Sequence, residues 1–198
     1  MQINFAYDPS VANAPSGFSG GLAAAASYLD ALITNPIMIT IQVGWGETDG
    51  FAISGNEVAT GGPTEEGQFY STVRNALAAN ATSAADALSV ANLPATDPLS
   101  GDILEVSAAQ ATALGVTGFF GSAVDGSIGF GTTVPFTFDP ANRAVPGKTD
   151  FIGVAEHEMT HALGRISGLF STLLPGVPSG TRNWSITPGR SRIRRVCG

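Results

Sequence analysis

The stretch Asp150–Phe170, DFIGVAEHEMTHALGRISGLF, holds both histidines of the chain, His157 and His161, with Glu158 between them. Asp150 is a favourable helix N-cap, and the sequence from Phe151 reads as a helix that stops at Gly164. Residues four apart lie on one face of such a helix, so both imidazoles can point at one metal ion. Zinc accepts neutral imidazole nitrogen readily. Glu158 sits one step around the same edge, where a carboxylate can reach a water without being a ligand. A metal lowers the pKa of a nearby water to about 7, and Glu158 as general base takes its proton as that water attacks a carbonyl. Zn2+ is therefore the expected cofactor, His157 and His161 the expected metal ligands, and Glu158 the expected catalytic residue. A peptide or protein is the most natural substrate.

Working outward, the elements around this helix form a mixed set. Ile3, Phe5 and Tyr7 alternate with polar or small residues and read as a strand ended by Asp8-Pro9. Phe18, Leu22, Ala25, Leu29 and Leu32 follow at helical spacing, and Asn35-Pro36 stops them. Ile37, Ile39, Ile41, Val43 and Trp45 alternate as a second strand. The Gly-rich segment 46–67 reads as a long connection able to flank a cleft. Phe69, Val73 and Leu77 suggest another helix, and an Ala-rich helix follows over about Ser83 to Ala91. Ile103–Val106 reads as a short strand, and Ser107 with Gln110 is a capping-box signature for a short helix closed by Gly115. Val124-Asp125-Gly126-Ser127 looks like a hairpin turn leading into Ile128 and Phe130. This order predicts an α+β domain.

The net charge of −7 speaks against nucleic acid as the main partner. Cys197 is the only cysteine, so no disulfide framework and no cysteine-based zinc site is expected. The apolar run from Gly20 to Ile33 is too short to span a membrane. Met1-Gln2-Ile3-Asn4 leads straight into strand-like sequence, without the basic and apolar regions of a signal peptide.

His157-Glu158-Met159-Thr160-His161 resembles the zincin metallopeptidase motif, and Gly164 stands where metzincins place a glycine that turns the chain toward a third ligand. Together with INFAYDP near the start and FGTTVPFTFDPANRAVPGKTDF before the helix, the stretch is similar to a group of bacterial exported zinc metalloproteases. The resemblance covers roughly residues 2–170. It implies a zincin-like fold, a twisted mixed sheet packed on helices with the active-site helix near 150–164, and a secreted zinc peptidase. It also implies that substrate adds to an edge strand, for which the segment around Ile128–Phe130 is the candidate.

The sequence departs from that pattern in one respect. A catalytic zinc takes three protein ligands plus water, and metzincins use a histidine or aspartate three residues past the glycine, where this chain has Ser167. No Asp or Glu follows Glu158, no histidine follows His161, and no methionine is available for a Met-turn. Asp125, Asp139, Asp150 and Glu156 lie upstream at spacings that single out none of them. Arg165 reads as a helix-end cation, or as a group able to hold a carboxylate near the site. Residues 171–198 form an acid-free tail carrying Arg182, Arg190, Arg192, Arg194 and Arg195. The expected organisation is a metalloprotease domain over 1–170, incomplete at its C-terminal side, followed by a basic, irregular tail. Two alternatives stand beside the enzyme: an inactive zincin fragment without a third ligand, and a non-enzymatic extracellular binding domain.

Overall fold

The computed structural model describes residues 1–98, 100–101, 103–116 and 122–166. Ser167, Cys197 and the basic tail over 171–198 lie outside the described residues. Met1–Arg165 forms one compact unit. Its elements, in chain order, begin with β1 (Gln2–Tyr7), α1 (Phe18–Leu32) and β2 (Met38–Trp45). Next come β3 (Glu47–Thr48), β4 (Phe51–Ala52), β5 (Ala59–Pro63), β6 (Glu65–Phe69), α2 (Tyr70–Ala79) and α3 (Ala84–Ala91). The chain continues through β7 (Ile103–Ser107), α4 (Ala108–Leu114), β8 (Gly126–Phe130), β9 (Phe136–Thr137), β10 (Thr149–Asp150) and α5 (Phe151–Ala162). This is a mixed α/β arrangement, with small sheets and five α-helices among the described residues.

The principal sheet has the order β1-β2-β8-β5. β1, β2 and β8 run parallel, and β5 runs antiparallel to β8. The alternation read in β2 is what seats it: Ile39, Ile41 and Val43 are fully buried, with Met38 exposed at the strand start. Helix α1 covers this face with Phe18, Leu22, Ala25, Ala26 and Leu29, the three-and-four spacing expected of an amphipathic helix. Helix α5 adds Phe151, Ile152, Ala155, Met159 and Ala162 to the same core. Phe151 is its centre, with ring centroids 4.7 Å from Phe130, 4.7 Å from Phe138, 5.1 Å from Phe18 and 5.4 Å from Phe136. Helix α1 comes this close because position 21 is glycine: a Cβ there would stand 2.6 Å from Phe151 Cδ1.

Two expectations are corrected. Val124–Ser127 is not a hairpin turn. Asp125 accepts a hydrogen bond from Thr40 N–H at 2.7 Å and returns one to the Thr40 carbonyl, so it sets β8 parallel alongside β2. Gly126 serves close packing rather than turning, since a Cβ there would lie 2.7 Å from the Gly62 carbonyl and 2.8 Å from Ala162 Cβ. Consequently Ile128–Phe130 belongs to an interior strand, paired on both sides, and the edge beside α5 is β5. The Gly-rich segment 46–67 holds that strand, together with β3, β4 and the start of β6. Among the described residues no helix is long and apolar enough to cross a membrane.

The start of α5 is fixed by polar groups. Asp150 accepts from Ile152 N–H at 3.1 Å as N-cap, and its other oxygen lies 2.7 Å from Arg143 Nη2. Arg143 Nη1 reaches Glu156 one turn into the helix at 3.3 Å. Burial pushes the Asp150 carboxyl up, but bonds from Arg143, Gly153 and Ile152 outweigh it and leave its pKa below the ordinary value. A folded-state pKa below the unfolded one gives stability that is present above the unfolded value and lost as pH falls through the folded value. Asp150→Ala is therefore expected to cost about 1 kcal/mol at neutral pH, the usual worth of a cap. Urea unfolding of both proteins checks this, and the difference should shrink as the pH drops below about 4.

Candidate metal centre

Helix phase brings His157 and His161 together as the sequence implies. Their Nε2 atoms are 3.0 Å apart and their ring centroids 4.7 Å apart. Two nitrogens at adjacent corners of a zinc tetrahedron, each about 2.0–2.1 Å from the ion, stand roughly 3.3 Å apart. The pair therefore fits two corners of a zinc site with only a small adjustment. Desolvation, followed by the charges of His161 and Arg165, holds the His157 pKa below its ordinary value, which favours the neutral imidazole that a metal needs.

Glu158 lies on the buried side of the helix, 9% exposed. Its carboxylate faces β5, where a Cβ added at Gly61 would be 3.1 Å from Glu158 Oε2. Glycine at 61 thus lets strand and carboxylate approach closely. Burial is the main influence on the Glu158 carboxyl and raises its pKa, against the opposing charges of His161 and Arg165. His157 and Glu158 line one open cleft of about 420 Å³ with Val58, Ala59, Thr149, Asp150, Gly153 and Val154. The segment 46–67 does flank a cleft, through Val58 and Ala59.

Gly164 does turn the chain. At φ +102° it ends α5 in a Schellman arrangement, with Gly164 N–H donating to the His161 carbonyl and Arg165 N–H to the Thr160 carbonyl, both at 2.9 Å. The turn delivers the Arg165 carbonyl to His161 Nδ1 at 2.7 Å. Such a backbone acceptor behind a ring fixes the imidazole's orientation and tautomer. The Arg165 side chain folds back along the helix, its Nε donating to Thr160 Oγ1 at 2.7 Å and its Nη2 lying 3.3 Å from His157 Nδ1. The sequence offers Arg165 as a helix-end cation or as a holder of a nearby carboxylate, and its contacts with the two histidines go beyond either. Their signal is Gly164, whose left-handed turn ends the helix and sets Arg165 back beside the two histidines.

No third donor joins the pair: among the described residues no group of three His, Cys, Asp or Glu side chains could hold a metal ion. The upstream carboxylates are occupied elsewhere. Asp125 pairs with Thr40 N–H, Asp139 accepts from Ala141 N–H, and Asp150 and Glu156 bind Arg143. No protein-family model, curated protein or solved structure matches this chain.

Proposed function

We propose that the chain is a zincin-type zinc peptidase, exported like the proteins it resembles, in which His157 and His161 hold the ion and Glu158 is the general base. The observation that carries this reading is the pair of Nε2 atoms 3.0 Å apart on one helix face, with Glu158 lining the same cleft as His157. A zinc ion bound there supplies polarisation of the scissile carbonyl and a water acidic enough to attack it near neutral pH. The rest falls to the chain's own residues. β5 is an edge of the principal sheet, so an extended peptide can pair along its open side and pass Val58, Ala59 and the carboxylate. Glu158 takes a proton from the attacking water as the new C–O bond forms. It then gives that proton to the amine as the C–N bond breaks, leaving an acid and an amine. The raised pKa of Glu158 suits both halves of that transfer.

A second reading keeps the metal and drops the turnover. It rests on the lack of a third donor among the described residues. Cleavage of casein by the full chain separates the two. The peptidase reading expects zinc-dependent cleavage that a chelator stops and that Glu158→Gln abolishes. Bound zinc without cleavage supports the inactive site, and no zinc uptake sinks both.

A further inference from the structure

We infer that Glu57 is a specificity residue of the cleft, where its carboxylate selects a lysine or arginine side chain of a bound peptide. The inference rests on the peptidase reading above and names the class of substrate that the site prefers.

The backbone holds Glu57 at the end of the cleft wall. β5 pairs Ala59 with Phe130, and the pairing runs one step further, with Gly131 N–H donating to the Val58 carbonyl at 2.9 Å. The Glu57 carbonyl then lies against Gly131, so closely that a Cβ there would collide with it. Residue 57 is thus fixed by the sheet although it precedes β5. Successive residues of an extended chain face opposite sides. Gly61 faces α5, since a Cβ there would meet Glu158, and Ala59 packs against the core. Glu57 belongs to the same alternate set. It adjoins Val58 and Ala59, which line the cleft with His157 and Glu158. Its side chain is exposed, open to whatever lies in the cleft. The charge of Glu57 is also felt at Glu158, where it adds to burial in raising that carboxyl's pKa.

What sets Glu57 apart is that its charge is uncommitted. Asp150 and Glu156 are both taken by Arg143, and Arg165 Nε is held by Thr160 at 2.7 Å. Among the described residues the ion pairs are those of Arg143 alone, and no donor is bound to the Glu57 carboxylate. Glu158 serves as the base, which leaves Glu57 as a negative charge beside the path of the substrate. A peptide paired along the open side of β5 turns alternate side chains toward α5. Glu57 is two residues from Ala59 and four from Gly61, which stands against Glu158. The side chain it meets is therefore roughly two to four residues from the bond being cut. An ammonium or guanidinium there gains an ion pair, and a carboxylate is repelled.

The test uses internally quenched peptides of neutral sequence carrying a single lysine, glutamine or glutamate, moved over those positions on either side of the scissile bond. The full chain is compared with Glu57→Gln and Glu57→Lys. The readout is the ratio of kcat/KM for the lysine peptide to that for its glutamine counterpart, which does not depend on how much of each preparation is active. In the wild type this ratio should reach about five at one position and fall as salt is raised, as one solvent-facing ion pair requires. It should drop to about one in Glu57→Gln, and Glu57→Lys should favour the glutamate peptide instead. Fluorescence anisotropy with labelled versions of the same peptides gives the comparison as a ratio of Kd values and needs no cleavage. A wild-type ratio near one, or a lysine preference that survives in both variants, overturns the inference. Cleavage without that preference removes Glu57 and leaves the peptidase standing. Preference in binding without cleavage keeps Glu57 and removes the turnover. Neither binding nor cleavage removes both.

Discussion

Glu158→Gln should leave zinc on the histidine pair and lower kcat/KM for peptide cleavage by roughly 10²–10⁴-fold, the usual worth of a positioned general base. The amide has the shape of the carboxylate, so the contact with Gly61 and the cleft wall survives. What it loses is basicity. A glutamine cannot take a proton from the attacking water or pass one to the departing amine. The fold should not suffer, because burial disfavours the charged form of this side chain, as its raised pKa records, and glutamine removes that charge. Steady-state kinetics and metal analysis on the same preparations check the result. Full activity in the variant would remove Glu158 from the reaction, and loss of metal along with activity would assign it to the ion instead.

The largest expected effect on stability belongs to Phe151→Ala. Phe151 is fully buried and packs against Phe18, Phe130, Phe136 and Phe138, so it joins α1, β8 and β9 to α5. Truncation loses the transfer energy of the ring and leaves a cavity, a cost of about 3–5 kcal/mol. That is a large fraction of the roughly 5–15 kcal/mol that holds a domain together. The approach of α1 makes collapse into the space harder, because Gly21 already sits against the ring with no side chain to extend into the gap. Urea unfolding should show the loss directly, and a change under about 1 kcal/mol would mean that the aromatic cluster does not seat α5. Phe151 is also the first residue of the helix that carries His157 and Glu158, so the site should be the first place where the loosened packing is felt.

Much of this arrangement is legible in the sequence where side-chain pattern and structure coincide. Strand β2 follows its alternation and helix α1 its spacing as far as Leu29, whereas Tyr7 at the end of β1 and Leu32 at the end of α1 are exposed. The Ser107 capping box and the Gly115 stop appear in the structure as read, with Gly115 left-handed at the end of α4. Helix α5 is capped by Asp150 and places its two histidines as its phase requires. β5 is the contrast. Ala-Thr-Gly-Gly-Pro has almost no strand propensity, and what makes it a strand is backbone pairing with β8, together with a carboxylate and a helix that need glycine opposite them. The turn-like Val-Asp-Gly-Ser misleads for a related reason. Asp125 and Gly126 suit a turn, but here one serves a neighbouring strand and the other a close contact. From sequence Arg165 is a helix-end cation or a holder of a carboxylate near the site, because its part depends on how the helix terminates. Once Gly164 is left-handed, the same residue meets one histidine with its carbonyl and the other with its side chain.

The most direct measurement is the zinc content of the full chain after exhaustive dialysis, set beside His157→Ala and His161→Ala. One zinc per chain is expected in the wild type, with nitrogen neighbours at about 2.0–2.1 Å by X-ray absorption, and none in either variant. A wild-type chain that retains no zinc, or variants that retain as much as the wild type, would contradict a metal centre built on this helix.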